Sequence, residues 1–450
     1  MNEIQDLRSL LQAEFSGTAA MPGDAAYEAC VAIWAKPGSR PKAALVCHSA
    51  IDVQSAVRLA AKAGLPLSVR AGGHDWAGRA LCDGLVIDLT AMRAAQIAPD
   101  RSWVRIGGGM RGRDLFAHTD PIGRAPVTGS MGAVGLAGLT LGGGYGSLAG
   151  RYGLASDNLV GAEVVLADGQ IVRAEAGDAE LLWALRGGGG NFGLVTAMRV
   201  QLHRTPTLLS GQILFPWAQA SAVLARLAEF VPEGPDELTV QCGVLAGPDG
   251  APAVFVMPTW SGDDARAGEE TLARLTALGE PLVAQLGPTT GHDMLASTDA
   301  MFPYGKHVEI RTRTVPALTS AVRAALLDAG DTLTSPLSAV SLHSLHGIAS
   351  RIPATDTAFG NRTAHLMVEA IARWEPGDPR EPEHRAWARD VSAVLESEAM
   401  PGGYPNLLGP DETKQIAHAY GPNTERLLAA KHRFDPDGVF RAIPLPVPSV

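Results

Sequence analysis

Three stretches of the chain carry side chains whose types and spacing could do chemistry. In "SVRAGGHDWAG", Ser68 to Gly78, an apolar run ends in Gly72 and Gly73, and an imidazole, His74, follows at once. Successive backbone N–H groups in a glycine-permitted turn form a concavity that binds anions without Lys or Arg, and a diphosphate is its natural occupant. A single histidine after a Gly-Gly turn is also an ordinary structural feature, so this stretch decides nothing by itself. The second, "TGSMGAVGLAGLTLGGGYG" from Thr128 to Gly146, offers backbone donors and points of close approach at a second place. The third, "AHLMVEAIARW", alternates with period two: Leu366, Val368, Ala370 and Ala372 share one face, and His365, Met367, Glu369, Ile371 and Arg373 share the other.

The elements that must position these groups fall into two textures. In the first half, "AALVCH", "AIDVQSAVRLAAKAGLP" and "LSVRAGG" read as strand, helix and strand, with Asp52 near the helix start and Gly64 and Pro66 as stop signals. "GLVIDLT" and "SWVRIGGG" read as short strands, and "LVGAEVVLADGQIVRAE" reads as a hairpin with Asp168-Gly169 as a two-residue turn. Residues 121–150 are too rich in glycine for regular helix or strand, and so long a structureless segment in a compact domain points to function. Near residue 205, "HRTPTLLSG" marks a boundary. Beyond it, "HVEIRTR" sets Val308 and Ile310 against His307, Glu309 and Arg311. Such strands, separated by helical stretches such as "VPALTSAVRAALLDAG", imply an antiparallel sheet covered by helices on its apolar side, with its polar side turned to something else. The fold class is therefore α+β, with a boundary between two parts near residue 205.

Composition narrows the function. A chain of 450 residues, 46% hydrophobic, is long enough for large cores. A formal net charge of -10 and the lack of any basic run argue against a nucleic-acid partner. "MNEIQDLRSLLQAEF" reads as an amphipathic helix rather than a signal peptide, and no run approaches a membrane span, so a cytoplasmic location without a membrane partner is expected. The four cysteines, Cys30, Cys47, Cys82 and Cys242, form no C-x-x-C pair and read as buried free thiols. The spacing of His307, His343 and His365 gives no paired ligand set, so no metal is expected. A nicotinamide-binding G-x-G-x-x-G fingerprint is disfavoured, because the glycine strings do not follow a buried parallel strand.

The order R-x-G-G-H, then G-x-x-G-x-x-G-x-x-x-G-G-G-x-G, then "RYGLASDNLVGAEVVLADG", then "LLWALRGGGGNFGLVTAMRVQL" resembles the FAD-linked oxidases of the vanillyl-alcohol oxidase superfamily, in the berberine-bridge-enzyme-like branch. "YPNLLG" and "AYGPNTERLLAAKHRFDPDGVF" are similar to that branch's closing segment, and the resemblance runs from about Arg40 to Phe440. It implies a PCMH-type FAD-binding domain of residues 1–205 completed by 405–450, with 206–404 as a substrate-binding domain. In the FAD-binding domain Arg70, Ala71, Gly72, Gly73, His74, Asp75 and Gly78 are implied to cradle the diphosphate. Thr128, Gly129, Gly132, Val134, Gly135, Gly138, Gly142 and Gly143 match the second loop. Asn158 falls in the "DN" that follows, Gly193 and Val195 match the stretch that wraps the adenine side, and Asn406 is implied to bond the flavin or its substrate. His74 matches the histidine joined covalently to the flavin 8α-methyl, a tether that prevents cofactor loss and raises the reduction potential. Met131 occupies the place of the cysteine that makes a second bond in many members, and a thioether cannot form it, so attachment through His74 alone is expected. Val134 matches the position said to admit dioxygen.

The resemblance also implies the reaction. Oxidation of a C–H bond next to oxygen or nitrogen needs a base for the O–H or N–H proton while hydride leaves to the flavin. Glu369 matches the catalytic glutamate of alkaloid-cyclising members, against the plain alternative of an ion pair with Arg311 or Arg373. Tyr404 matches the base of sugar-oxidising members and Tyr145 a second active-site tyrosine of some natural-product oxidases. A tyrosinate base requires a large fall from about 10, which a positively tuned flavin environment together with Arg or His neighbours would supply. The expected activity is oxidation of a small organic molecule with dioxygen reduced to hydrogen peroxide. Its rivals are a dehydrogenase or oxidative cyclase of secondary metabolism using another acceptor, and a flavin-binding protein without catalysis.

Overall fold

The structure is a computed structural model that describes residues 3–35, 39–175, 178–205 and 207–447, without the side chains of 3–5. The start of the expected N-terminal helix, Met1 and Asn2, and Pro206 of the boundary stretch lie outside the described residues; the helix itself runs Glu3–Glu14.

Strands β1 (Thr18–Ala20), β2 (Ala43–Val46), β3 (Leu67–Arg70) and β4 (Leu85–Asp88) form the first sheet in the order β1-β2-β4-β3. Both β2 and β3 run parallel to β4, as the strand-helix-strand reading requires. The helix Ala50–Ala63 between β2 and β3 starts at a capping box, with Ser49 accepting from the Asp52 amide and Asp52 accepting from the Ser49 amide, and stops at Gly64 at φ 63°. At the end of β3 the buried Arg70 donates to Asp88 on β4 at 2.9 Å and, through Nε, to the Ala32 carbonyl at 2.9 Å. That fork fixes where the chain leaves the sheet, and hence where the Gly72–His74 turn begins.

A second sheet, antiparallel throughout, joins β5 (Ala95–Ile97), β6 (Trp103–Gly107), β8 (Leu159–Val165), β9 (Ile171–Ala174) and β10 (Leu194–Gln201) in the order β5-β6-β10-β8-β9, and β7 (Arg124–Ala125) pairs with β11 (His203–Arg204) beside it. The β8–β9 hairpin is present, but its loop is one residue longer than expected. Leu166 and Gln170 pair across Ala167, Asp168 and Gly169, with Gly169 at φ 80°. The glycine-rich segment also departs from expectation. Residues Leu136–Gly142 form a helix, because Leu136, Ala137 and Leu141 sit at helical spacing on a buried face of the core around the second sheet.

The third sheet is antiparallel, in the order β15-β12-β14-β13-β17-β18-β16, built from β12 (Leu208–Pro216), β13 (Leu238–Ala246), β14 (Pro252–Trp260), β15 (Val283–Thr289), β16 (His307–Val315), β17 (Ala339–Leu345) and β18 (His365–Trp374). Helices Ala220–Phe230, Ala265–Thr276, Ser320–Asp331 and Glu381–Val394 cover one face, burying Val240, Val254, Val340, Val368 and Ala370 against Leu224, Leu272, Leu326 and Trp387. The opposite face carries Gln241, Met257, Ser341, His343, Met367 and Glu369 and roofs a cavity.

On β16 the two faces are reversed relative to the simple polar-out expectation. Ile310 pairs with Ile371 and Arg311 with Ala370, so Val308 and Ile310 face the cavity side while Glu309 and Arg311 face the helices. There Glu309 accepts from Arg311, Arg385 and Arg389, and Arg311 also reaches Asp411. His307 follows the same parity and lies beside Trp374 and Glu381, away from the cavity. An edge strand can satisfy charges with side chains from the helix flanking it, which an interior strand cannot.

Candidate active site

The cavity between the third sheet and the two glycine-bearing loops has a volume of about 890 Å3, in the range of cofactor and ligand sites. Of the residues proposed from sequence, Ala71, Gly72, Gly73, His74, Asp75, Gly129, Val134, Gly135, Gly138, Tyr145, Gly193, Val195, Glu369, Tyr404 and Asn406 line it. Its far end is closed by the C-terminal stretch Gly438–Ile443.

Backbone geometry explains the glycines. A Cβ on Gly72 would lie 2.3 Å from the Gly135 nitrogen, and one on Gly135 would lie 2.4 Å from the Gly72 nitrogen, so the two loops meet only because both lack side chains. Gly73 adopts φ 71°, in the left-handed region. Among the described residues, the amides of Gly72, Gly73 and His74 donate to no protein acceptor. A row of free amides at a cavity wall suits a diphosphate.

His74 sits at the heart of this cradle. Its ring stacks on Trp34 with centroids 4.7 Å apart, and the Arg373 guanidinium lies 5.3 Å from the centroid of the same Trp34 ring system. Burial, with Arg373 and Arg111 nearby, pushes its pKa down to about 3, so the imidazole is neutral at physiological pH. Its Nδ1 is buried and has no hydrogen-bond partner. A buried, unpartnered, neutral ring nitrogen on a residue that lines a cavity with free backbone amides fits a flavin dinucleotide. Met131 lines the same cavity. Trp34 was not assigned a role from sequence because it lies before the first recognisable motif, and Arg373 was read only as an ion-pair partner for Glu369, four positions away along β18.

The remaining proposed cofactor residues stand behind the wall. Arg70 holds the turn through Asp88 as described above. Gly142 leaves room for the Asn406 amide, because a Cβ there would lie 2.3 Å from it, and Gly143, at φ 128°, abuts Phe359 and Tyr404. Thr128 donates to the Gly129 carbonyl, Gly132 packs against Arg113 and Asp299, and Gly78 turns at φ 77° in open space. Asn158 corrects the sequence reading. Its amide donates to the Tyr152 and Leu154 carbonyls and its oxygen meets His203 at 2.6 Å, so it ties loops together and does not line the cavity.

Across from the cradle, Glu369 projects from β18. Neither suggested arginine reaches it: Arg311 is engaged on the helix side and Arg373 donates to the Pro303 carbonyl at 2.9 Å. Its nearest ionisable neighbour is His343, with Nε2 3.5 Å from Oε1, and that imidazole is itself driven down to about 4 by burial. Burial without a cation raises the Glu369 carboxyl to about 8. Gln241 and Ser341 complete this polar corner, with Gln241 Nε2 donating to Ser341 Oγ at 2.9 Å.

Tyr404 and Tyr145 lie beside it with ring centroids 5.1 Å apart. Among the described residues no Arg, Lys or His side chain acts on the Tyr404 phenol. Burial raises its phenol to about 12, and its oxygen accepts from the Gly144 amide at 3.0 Å and Asn406 Nδ2 at 2.9 Å. Burial also raises the Tyr145 phenol well above its ordinary value, and its hydroxyl lies 2.7 Å from His365 Nε2. Among the described residues no group of three or more His, Cys, Asp or Glu side chains is placed to hold a metal ion.

Comparison with known proteins agrees with this geometry. An "FAD binding domain" family model matches residues 41–175 and a "Berberine and berberine like" model matches residues 403–444. The chain is 33% identical over 441 residues to (R)-6-hydroxynicotine oxidase of Paenarthrobacter nicotinovorans, covering 94% of this chain and 95% of the relative. It is 32% identical over 400 residues to the FAD-linked oxidoreductase aurO of Gibberella zeae, covering 88% of this chain and 78% of the relative. The crystal structure of 6-hydroxy-D-nicotine oxidase from Arthrobacter nicotinovorans superposes with a TM-score of 0.86 at 31% identity, over 97% of this chain and 98% of that one. A berberine bridge enzyme variant shares the fold with a TM-score of 0.86 at 20% identity, over 98% of this chain and 99% of that one. The chain belongs to the FAD-linked oxidoreductases of the vanillyl-alcohol oxidase superfamily, in the berberine-bridge-enzyme-like branch.

Proposed function

We propose that this enzyme is an oxidase that removes hydride from a C–H bond next to nitrogen or oxygen in a small, largely apolar organic molecule, with dioxygen as electron acceptor. The observation that carries the reading is Glu369: a buried carboxyl with no cation partner, in a largely apolar cavity, across from a cradle suited to FAD. When bound, FAD supplies the two-electron acceptor and passes those electrons to dioxygen, which leaves as hydrogen peroxide.

In this reading residues 1–205 with 405–450 hold the cofactor and residues 206–404 roof its reactive ring. His74 anchors it by a single covalent bond, for which the neutral, unpartnered Nδ1 is a suitable nucleophile and Met131 is not. Val134, on the cavity wall, leaves dioxygen a way to the ring. Leu245, Phe255, Met257, Ile310, Met367 and Ile371 enclose the substrate's apolar body and exclude water. Glu369, once ionised above about pH 8, takes the substrate's O–H or N–H proton. Tyr404 serves as a hydrogen-bond donor rather than as the base, because both of its oxygen's accepting positions are filled. The named activity of the hydroxynicotine oxidase relative favours an amine over a sugar, as does the apolar lining.

The test is anaerobic stopped-flow mixing of the holoenzyme with racemic 6-hydroxynicotine, N-methylpyrrolidine, 1-phenylethanol and cellobiose, followed by admission of air. The expected result is bleaching of the flavin by an amine or the aromatic alcohol and recovery within seconds in air. Bleaching by none of the four would sink the substrate class, and recovery only with an added dye would sink the oxidase assignment.

A further inference from the structure

The two cavity tyrosines have opposite hydrogen-bond polarity, and the reason lies in His365. Its Nδ1 is 2.7 Å from the Thr363 carbonyl, which can only accept, so Nδ1 carries the hydrogen. Burial lowers this imidazole to about 4, so at neutral pH the ring is uncharged and Nε2 bears a lone pair. The Tyr145 hydroxyl, 2.7 Å from Nε2, must therefore donate to it. That commits the phenol's proton and leaves its lone pairs for the cavity, which Tyr145 lines. Tyr404 is the converse, with its oxygen filled by two N–H donors and only its proton to offer. Glu369, the third protic group on this wall, keeps its own proton up to about pH 8.

We propose that at neutral pH the substrate's O–H or N–H proton leaves through Tyr145 to His365, with His365 as its resting place. The inference rests on the oxidase reading of the site. The substrate C–H bond breaks with its electron pair passing to FAD. The substrate proton bonds to Tyr145 Oη as the phenol's proton bonds to His365 Nε2, and the substrate is left with a new C=N or C=O bond. When dioxygen takes the two electrons, hydrogen peroxide forms from the hydride's hydrogen and the proton released by His365. The turnover thus consumes and produces no net proton.

The surroundings suit a temporary proton. The titratable and charged groups facing the pair are Tyr404, Glu369 and Arg362, and Arg362 is already held by Asp157 at 2.6 Å. Phe359, Met367 and Leu345 supply the remaining packing. No carboxylate among the described residues contacts His365, so nothing there would hold the imidazolium once formed. Because His365 touches no substrate, it is a positioning residue, and Tyr145 is the catalytic one.

Two measurements on the holoenzyme test this. Histidine-selective 15N NMR is expected to show His365 as the neutral Nδ1–H tautomer from pH 6 to 9, with its Nε2 signal shifted in Tyr145→Phe; a charged ring or the Nε2–H tautomer would overturn the inference whatever the substrate. The second is the pH profile of anaerobic flavin bleaching with whichever of the four probe compounds above reacts. Wild type is expected to show a plateau at pH 6–7.5 and a further rise through about pH 8. Tyr145→Phe and His365→Gln should lower the plateau by at least about 100-fold while keeping the rise, and Glu369→Gln should lose the rise through about pH 8. Glutamine can accept the Tyr145 hydrogen bond but cannot take a proton, so a His365→Gln enzyme that retained the plateau would reduce His365 to a support and overturn the proposal. If none of the probes bleaches the flavin, the proposed function fails and the NMR result still decides the hydrogen-bond polarity.

Discussion

Replacing Glu369 by glutamine should stabilise the folded protein, and by an amount that grows with pH. The carboxyl is raised from the ordinary 4.5 to about 8 because burial penalises its charge and no cation offsets it. Below about pH 4.5 the carboxyl is protonated in both folded and unfolded chains, and the site contributes no pH dependence. Between about 4.5 and 8 the unfolded chain loses that proton while the folded chain keeps it, so wild-type stability falls by up to about 1.4 kcal/mol per pH unit. Above about 8 the loss levels off at about 5 kcal/mol, an upper figure because water entering the cavity would soften it. Glutamine has nearly the same shape and cannot ionise. Urea unfolding of both holoenzymes at pH 5, 7 and 9, followed by tryptophan fluorescence, should show the Glu369→Gln advantage small at pH 5 and several kcal/mol larger at pH 9. An advantage that stays flat across this range would mean that Glu369 ionises in the folded protein at an ordinary pH, and the account of a cation-free, water-excluded carboxyl would fail.

Other expectations follow from the cradle and its surroundings. His74→Ala should leave a folded protein whose FAD is removed by acid precipitation, whereas Met131→Ala should retain the flavin as tightly as wild type; both are read from the absorbance of pellet and supernatant. Gly72→Ala puts a methyl 2.3 Å from the Gly135 backbone, so it should yield protein with little or no flavin, measured as the ratio of visible to ultraviolet absorbance, while Gly78→Ala, where a Cβ meets nothing within 4 Å, should keep FAD despite its positive φ. Val134→Ile should slow reoxidation of bleached enzyme in air with little effect on bleaching itself, a split that stopped-flow absorbance resolves.

Much of this was legible because it is local. Period-two alternation put Glu369 on the cavity face of β18, and the Gly72-Gly73-His74 turn, singled out as a local motif, lines the same cavity. What was not legible depends on partners far along the chain. The charges of β16 point toward the helices because Arg385 and Arg389, more than 70 residues away, meet Glu309 there. Glu369 has no arginine because the third sheet's register turns Arg311 to the opposite face. Nor does the sequence near Tyr404 show that its protein partners are an amide and a carboxamide instead of Arg or His. Asn158 matched a motif but is used as a loop tie. The Tyr145–His365 bond spans 220 positions, and neither neighbourhood hints at the other. Within the glycine-rich segment, the helix Leu136–Gly142 forms because three apolar side chains find a core, a tertiary gain that outweighs poor helix propensity.

The claim on which the rest depends is that this cavity holds FAD through one bond to His74. The mass of the fully denatured wild-type chain, followed by sequencing of its flavin-bearing peptide, tests it most directly. The account predicts the chain mass plus one FAD, with the modification on His74; the bare chain mass with free FAD in the supernatant, or a flavin carried by any other residue, would contradict it.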